Sequence, residues 1–354
     1  MNKTRLHKIL RRVVIIAIVF VLVFSLSSAI FSAVFFHFMF ARRDSVREYV
    51  RIDYSLIDTG QYTRRAVSFL SGENTLKGYL YGEQNKNGLI IIAPGISSDA
   101  DAHLAEIMSF VDSGYTVLAY DATGTFESEG ESRIGLQQSK RDLLAAIDFA
   151  ADDSVTSDMP VFLYGHSLGA YAAAAALEQT DVEAAICLSG FDSPVGTMYG
   201  TAKGYVGFLA DIEYPFLYLQ NFIVFGGDAD TRAVDGVNSG DTPVLICYGS
   251  GDKVIPYELS MYSHESELKN PNAHCELIED EFRNGHSYMW LSHDAARYVA
   301  ELQDELDDLS QACGGEVPDS VVEDFYSGVD AERATETDGE FIGEVCDFFE
   351  QAVR

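Results

Sequence analysis

The sequence predicts an α/β protein in which helices cover both faces of a mostly parallel sheet, preceded by one transmembrane helix. Three features of its 354 residues lead to this prediction. Short apolar runs alternate with longer helical segments between about residues 63 and 310, as buried parallel strands and their crossover helices do. Two alternating runs at the start predict an antiparallel edge. An apolar stretch near the amino terminus is too long for a core element.

Residues 1–43 predict a basic flank and a membrane anchor. Five Lys or Arg residues precede the stretch 13–40, whose only polar residues are four Ser and His37. As a helix it would measure about 42 Å, longer than the ~30 Å hydrocarbon core, so we expect it to tilt. A cleaved signal peptide is the alternative, although its apolar region would be only about 7–15 residues long.

The charges beside this stretch bear on its orientation. Five basic residues precede it, whereas Arg42, Arg43, Arg47 and Arg51 follow it. Because cytoplasmic flanks carry the excess of Lys and Arg, this small difference favours a cytoplasmic amino terminus and an extracytoplasmic domain. Residues 44–62 have the composition of a polar linker.

From residue 63 onward the elements can be predicted in order. Runs 66–70 and 76–81 alternate and are joined by a Ser-Gly-Glu-Asn turn, which predicts an antiparallel hairpin. Continuous apolar runs predict buried strands, and periodic or Ala-rich segments predict helices. The remaining predicted strands are 89–93, 115–120, 161–164, 184–188, 244–248 and 275–278. The predicted helices are 101–111, 135–151, 168–178, 257–268 and 294–309.

The formal net charge of −31 is unevenly distributed along the chain. Residues 1–51 hold nine Lys or Arg and two acidic residues, whereas the remainder holds 15 basic and 53 acidic residues. An acidic domain of this kind repels nucleic acid, so we exclude a nucleic-acid-binding function. A solvated acidic surface is the simplest interpretation.

The five cysteines show no spacing typical of a metal site, and we predict neither a metal nor a cofactor. Cys187, Cys247 and Cys275 lie in apolar runs, where a thiol behaves as a small core residue. A disulfide between Cys313 and Cys346 remains open.

One serine lies between two glycines in Tyr164-Gly-His-Ser-Leu-Gly-Ala170. The pattern G-x-S-x-G is weak alone, and a chance match is the alternative. Here it falls between a predicted buried strand and a predicted helix, and such a turn lifts the serine Oγ above the end of the sheet. The context therefore predicts that Ser167 is a nucleophile.

A serine hydroxyl needs a base to take its proton and a third group to orient that base. In open α/β sheets such groups lie on loops beyond the carboxyl ends of strands. Asp252 lies four residues beyond one predicted strand, and His286 lies eight residues beyond the next. The order Ser, Asp, His is also the one that strand-turn-helix hydrolases use. We therefore predict Asp252 as the orienting acid and His286 as the base.

Other candidates fit this rule less well. Asp241 precedes a strand instead of following one, and Asp252 itself could simply cap a helix. His166 adjoins the serine, so its side chain leaves the backbone in a different direction, and it is not assigned the base role. The remaining histidines after Asp252 fall in a predicted helix, a strand or a cap position: His264, His274 and His293.

Backbone amides are the predicted donors to the oxyanion. The N–H of Leu168 follows the nucleophile at a helix start. The second donor should come from the loop after strand 89–93, where Ile96 follows Pro94-Gly95. Ser97 is the alternative.

Together these motifs resemble the α/β-hydrolase superfamily over about residues 66–310. Asp121-Ala-Thr-Gly-Thr-Phe-Glu-Ser-Glu-Gly130 is similar to the D-x-x-G-x-G-x-S-x-G signature of the branch that holds serine aminopeptidases and monoacylglycerol lipases, with Phe126 replacing a glycine. The stretch YGSGDKVIP is similar to the acid loop of that branch, whereas Pro94-Gly95 replaces a common His-Gly. The resemblance implies the fold and a Ser-His-Asp triad. The branch cleaves esters, thioesters and peptides, so the substrate is not implied.

Two segments break the alternation. Residues 191–241 are rich in aromatic residues and glycine, and a loop this long is usually functional. We expect a cap that shields the serine and lines an apolar acyl pocket, with an ordinary helical insertion as the alternative. In the acidic tail, 311–354, apolar residues from Phe341 to Phe349 at helical spacing predict a docked helix.

These observations predict a membrane-anchored serine hydrolase that cleaves acyl esters through an acyl-enzyme. Its partners would be a small acyl substrate of lipidic or short-chain type and the lipid bilayer, through residues 13–40. A peptidase of the same fold and a non-catalytic anchored binding protein are the alternatives.

Overall fold

The computed structural model describes residues 3–45, 49–96, 98–315 and 317–354. Its strands are β1 Arg64–Ser71, β2 Asn74–Tyr81, β3 Leu89–Ala93, β4 Thr116–Tyr120, β5 Val161–His166, β6 Ala184–Leu188, β7 Val244–Gly249 and β8 Ala273–Ile278. They form one eight-stranded sheet in the order β1-β2-β4-β3-β5-β6-β7-β8. β2 pairs antiparallel with β1 and β4, and the other neighbouring strands are parallel.

Helices precede, connect and follow these strands. They are α1 Lys3–Met39, α2 Leu104–Asp112, α3 Gln138–Asp152, α4 Leu168–Ala176, α5 Pro194–Val206, α6 Leu209–Phe225, α7 Ala233–Val237, α8 His293–Ala312, α9 Asp319–Ser327, α10 Ala331–Ala334 and α11 Gly339–Ala352. The longest of them, α1, is the one described helix that is long and apolar enough to cross a membrane, over His7–Met39.

Strands β3 to β7 are buried on both faces, which explains why they read as continuous apolar runs, whereas the edge strand β8 is only partly buried. Consecutive side chains of a strand point to opposite sides of the sheet. Ile91 faces one core together with α3 and α4, whereas Ile90 and Ile92 face a second core with α2, α8 and α11. The predicted fold class, a mostly parallel sheet with helices on both faces, is confirmed.

The last three turns of α1 and Phe40, the residue that follows them, pack against the domain. Ser28, Ser32, Phe36 and Phe40 are buried at every fourth position, as one face of a helix requires. The residues between Val13 and Phe24 are exposed on all sides. The first half of α1 therefore extends away from the domain, and one face of its second half packs against α6.

The helix predicted over 257–268 is wrong. Two short 3-10 turns occupy this segment, Tyr257–Leu259 and Tyr262–Glu267. Between them Ser260 is extended, and its hydroxyl donates to the carbonyl of Tyr257 and accepts from the amide of Ser263. A serine side chain that satisfies nearby backbone groups in this way competes with a continuous helix.

Candidate active site

Ser167 lies on a strained turn between β5 and α4. Its backbone has φ 56° and ψ −115°, a conformation that a residue with a Cβ rarely adopts. Both neighbouring glycines are required for this turn. A Cβ on Gly165 would lie 2.2 Å from the carbonyl oxygen of Gly169, and one on Gly169 would lie 1.9 Å from that of Ala93. The G-x-S-x-G pattern therefore has a steric cause here.

Asp252 and His286 form a hydrogen bond beyond the ends of β7 and β8. The Nδ1 of His286 lies 2.8 Å from Oδ2 of Asp252. The Oδ1 of Asp252 accepts from the amides of Val254 and Ile255 at 2.8 and 3.0 Å, so Asp252 also caps its own loop. Its side chain is completely buried. A carboxylate held in this way accepts the Nδ1 proton and leaves Nε2 of the imidazole free to accept another.

His166 contributes a contact that the sequence did not predict. Its Nε2 lies 2.7 Å from the backbone oxygen of His286, and because a carbonyl only accepts, this nitrogen carries a proton. Burial lowers the pKa of His166 well below its usual range, so the ring is neutral. His166 is thus a positioning residue that ties the loop of His286 to the end of β5.

A cavity of about 320 Å³ brings the predicted groups together. Ser167, His286 and Ile96 all line it, and Asp252 lies behind His286. Leu168 is the first residue of α4, and the amides of a first helical turn have no partner within the helix. Ser97, the alternative donor, lies outside the described residues, as does Arg47.

The remaining walls of the cavity come from segments that the sequence did not assign to it. The segment before β1 contributes residues 49–52, and the tail contributes Ala334 and Thr335. Residues 191–241 do not line it, so the expectation that they line an acyl pocket around the serine is wrong for this cavity. Their helices α5 and α6 lie instead beside α1.

Two acidic side chains in the cavity wall are paired with arginines. Asp99 Oδ2 lies 2.8 Å from Arg51 Nη2, and Asp101 forms a short ion pair with Arg64. Burial raises the pKa of Asp99 to about 6, although Arg51 opposes the shift. The third carboxylate of the wall, Glu106, lies 2.7 Å from Nδ1 of His103, so each of the three acidic side chains has a side-chain partner.

The loop 121–130 supports the segment that precedes α2. Asp121 accepts from the amides of Ala100 and Glu127 through its two oxygens, at 2.8 and 3.0 Å. Phe126, which replaces a glycine of the superfamily signature, has φ 42°. Glycine adopts this region most easily, which explains the usual residue at this position.

Arg133 connects the end of α1 to the predicted oxyanion loop. Its Nη1 donates to the carbonyl of Ile96 at 3.0 Å, and its Nη2 and Nε donate to those of Met39 and Ala41 at 2.6 and 3.1 Å. One side chain therefore spans the gap between the end of α1 and the cavity.

The five cysteines are free in this structure, so the disulfide that the sequence left open is not formed. Cys313 is exposed, and Cys346 is partly buried. Within the described ranges no group of three or more His, Cys, Asp or Glu side chains could hold a metal ion.

The family model described as serine aminopeptidase, S33, matches residues 84–202. This range holds the serine motif and the loop 121–130, and it ends before Asp252 and His286. The match joins the sheet order and the serine turn in pointing to one superfamily. The chain has the α/β-hydrolase fold. The resemblance predicted from the sequence is thereby confirmed.

Solved structures similar to this α/β-hydrolase include an esterase from Pyrococcus furiosus and Est1E from Butyrivibrio proteoclasticus with ferulic acid bound. The first is 16% identical, with a TM-score of 0.52, and the alignment covers 77% of this chain and 98% of that one. The second is 19% identical, with a TM-score of 0.50, and covers 70% and 98% of the two chains. At these identities the likeness concerns the fold alone.

Among curated proteins, the polyketide transferase GrgF of Penicillium is similar to one part of this α/β-hydrolase. The two are 31% identical over 98 residues, which is 27% of this chain and 33% of GrgF. The chain thus matches about a third of the length of this curated relative.

Proposed function

We propose that this α/β-hydrolase is a membrane-anchored serine hydrolase that cleaves acyl esters through an acyl-enzyme. One observation supports this more than any other. The imidazole of His286, bonded to the buried Asp252 at 2.8 Å, shares a cavity with Ser167 on its strained turn. A nucleophile beside a base that a third group orients is the arrangement that acyl transfer needs.

The chemistry follows from these roles. Nε2 of His286 takes the proton of Ser167 as its Oγ bonds to the acyl carbon, and the carbonyl electron pair moves to the oxygen. The amides of Leu168 and Ile96 stabilise that oxyanion. When the tetrahedral intermediate collapses, His286 gives its proton to the leaving alcohol. Water then attacks the acyl-enzyme by the same route, which releases the acid and restores Ser167.

The charge of the cavity favours a neutral ester over a substrate with a free amino group. An aminopeptidase needs an uncompensated carboxylate to bind the ammonium group of its substrate. Here Asp99 is already paired with Arg51, Asp101 with Arg64, and Glu106 with the imidazole of His103. The name of the similar Pyrococcus furiosus protein, an esterase, agrees with this choice.

The anchor suggests a lipophilic substrate, because the end of α1 lies close to the cavity. The side chain of Arg133 bonds both to Met39 at the end of α1 and to Ile96 in the cavity wall. Two of the basic residues after α1 are engaged within the domain. Arg42 donates to the carbonyls of Phe126, Ser128 and Gly130, and Arg51 pairs with Asp99. The five Lys or Arg residues before residue 13 then outweigh the basic residues after α1, which supports a cytoplasmic amino terminus and an extracytoplasmic active site.

The test of substrate class compares acyl esters of increasing chain length with aminoacyl amides, using the full chain in nonionic detergent. We expect ester cleavage by the wild type and its loss in Ser167→Ala. Cleavage of the amides alone would favour the peptidase. Substrate binding without turnover by the wild type would favour the non-catalytic binding protein.

A further inference from the structure

The turn between α5 and α6 forms an exposed apolar tip. We define this hairpin tip as residues 205–209, with the sequence Tyr-Val-Gly-Phe-Leu. Tyr205 is 86% exposed and Phe208 is 69% exposed. Gly207 permits the turn with φ 58°. Large apolar side chains that are consecutive and this exposed are unusual on a surface that faces water.

The outer face of α6 continues this apolar surface. Its exposed residues recur at helical spacing and thus share one side of the helix. They are Ile212, Leu219, Phe222 and Ile223. Within 194–227 the only charged residues are Lys203, Asp211 and Glu213, although the chain as a whole carries a net charge of −31. The hairpin is therefore an uncharged apolar patch on an acidic protein.

α6 lies beside the part of α1 that a bilayer would surround. Ser28 of α1 donates to Glu213 of α6 at 2.9 Å, and the rings of Phe24 and Phe216 meet edge to face at 6.3 Å. These contacts fix the position of α6 along the axis of α1.

The thickness of the bilayer determines how deep in the membrane these contacts lie. Arg12 is the last charged residue before the apolar stretch and belongs at the interface. A hydrocarbon core of ~30 Å needs about 20 helical residues, so it extends from Val13 to about Ser32. If α1 is tilted, more of its residues lie within the hydrocarbon core. The contacts of Phe24 and Ser28 with α6 therefore lie inside this depth.

We propose that the hairpin of α5 and α6 inserts into the same leaflet as the end of α1, with its tip and the outer face of α6 in contact with lipid acyl chains. This requires that α1 spans the membrane, as proposed above. The bilayer is the occupant that fits, because a partner protein on this face would have to occupy the depth that the lipid around α1 already fills.

The polar groups of the hairpin are compatible with this location. Lys203 Nζ lies 2.9 Å from Asp211 Oδ1, and Tyr199 bonds to both side chains. Glu213 accepts the hydroxyl hydrogen of Ser28. Ionic groups at a membrane are tolerated where they pair with each other or meet another helix.

Depth-dependent fluorescence quenching tests this insertion. The full chain is reconstituted in phosphatidylcholine vesicles that contain lipids with spin labels on their acyl chains. Single substitutions Phe208→Trp and Ile223→Trp report on the tip and on α6, and the native Trp290, which is buried, gives the same background in every variant. Val353→Trp is the matched control, because Val353 is 46% exposed at the end of α11, on the face of the sheet opposite α1.

We expect the added emission of Phe208→Trp and Ile223→Trp to be quenched about twofold or more relative to Val353→Trp, since interfacial elements bury ~5–10 Å into the acyl region. Phe20→Trp, at an exposed position of α1, reports on the anchor itself. Quenching at Phe20→Trp without quenching at the two hairpin positions would overturn the insertion and leave the anchor intact. No quenching at any of them would overturn the anchor as well. Unquenched but blue-shifted emission at Phe208→Trp would point to a protein partner instead of lipid.

Discussion

Ser167 combines a strained backbone with a functional position at the end of β5. A non-glycine residue in this region of φ and ψ costs on the order of 1–3 kcal/mol and persists only when its surroundings enforce it. The close approach of Gly165 to Gly169 and of Gly169 to Ala93 provides that constraint. The turn therefore holds the hydroxyl of Ser167 in the cavity at the expense of local stability.

Asp252→Asn tests the role of the buried carboxylate. An amide at this position can present its NH₂ to Nδ1 of His286, which would favour the tautomer with the proton on Nε2 and block proton transfer from Ser167. We expect kcat for a preferred ester to fall by about 10⁴-fold, with a smaller change in KM. Asp241→Asn, at the rival acid position, is the control and should retain wild-type kcat. The reverse pattern would assign the acid to Asp241.

Asp99 predicts a pH dependence of stability. Its folded pKa of about 6 lies above the unfolded value of 3.8, so the folded state holds the proton more tightly. The associated stability is complete below pH 3.8 and is lost as the pH rises through about 6. Relative to Asp99→Asn, the wild-type free energy of unfolding should fall by up to about 3 kcal/mol over this range.

Urea denaturation of both proteins in the same detergent, at several pH values between these limits, measures that difference. The ion pair with Arg51 forms only when Asp99 is ionised, so its effect is already included in the folded pKa of about 6. Any change in packing in Asp99→Asn adds an offset that does not vary with pH. A difference that stays constant, or one that grows in favour of the wild type as the pH rises, would contradict the assignment.

At the residue scale, the sequence was sufficient to propose Ser167, Asp252 and His286, because each follows a strand end in a fixed order. It could not reveal His166, whose role depends on a backbone carbonyl 120 positions away. Because His166 and Ser167 are consecutive in the sequence, one could infer only that their side chains point in different directions. Which loop the imidazole would meet is a matter of tertiary structure.

Arg133 links two elements, since it bonds to carbonyls at the end of α1 and to that of Ile96. Arg133→Ala leaves these carbonyls without their donor, so the oxyanion loop loses a support. We expect kcat to fall about tenfold with little change in KM, because hydrogen bonds to charged groups contribute about 1.5–3 kcal/mol. As a positioning residue, Arg133 should be partly replaceable by lysine.

Arg141→Ala is the matched control for this prediction. Arg141 also bonds across elements, to Asp228, but it is partly exposed and does not line the cavity. Its variant should keep wild-type kcat. Equal losses in both variants, or a rise in KM alone for Arg133→Ala, would show that Arg133 acts on global stability or on binding instead of on the oxyanion loop.

At the element scale, the hydrophobic pattern predicted every strand of the sheet, because the inner parallel strands are apolar throughout and the hairpin strands β1 and β2 alternate. It failed over 257–268, where Ser260 turns the chain. Residues 191–241 do not line the described cavity, and their role as a cap stays a prediction. Aromatic content signals that a segment meets an apolar surface, but composition alone does not distinguish a substrate pocket from a membrane helix. The cavity walls formed by residues 49–52 and by Ala334 and Thr335 depend on long-range packing that no local pattern records.

At the scale of the whole molecule, charge is the dominant feature. With a net charge of −31, the excess acidic side chains repel one another across the folded domain and oppose compaction. Salt screens this repulsion, since the Debye length falls from about 30 Å at 0.01 M to about 3 Å at 1 M ionic strength.

We therefore expect the melting temperature of the full chain in nonionic detergent to rise by several degrees as sodium chloride increases from about 0.02 M to about 0.5 M. Differential scanning fluorimetry measures this shift directly. An unchanged or lower melting temperature would mean that local ion pairs, such as those of Arg51 and Arg64, outweigh the overall repulsion.

The central proposal is that Ser167 is the reactive nucleophile of this fold, and covalent labelling tests that proposal most directly. A fluorophosphonate probe is applied to the full chain, to Ser167→Ala and to Ser189→Ala. Ser189 is a matched control because it also follows a strand with positive φ, 49°, yet it is fully buried. We expect the wild type and Ser189→Ala to be labelled and Ser167→Ala to remain unlabelled. Labelling of Ser167→Ala at the wild-type rate would contradict the account.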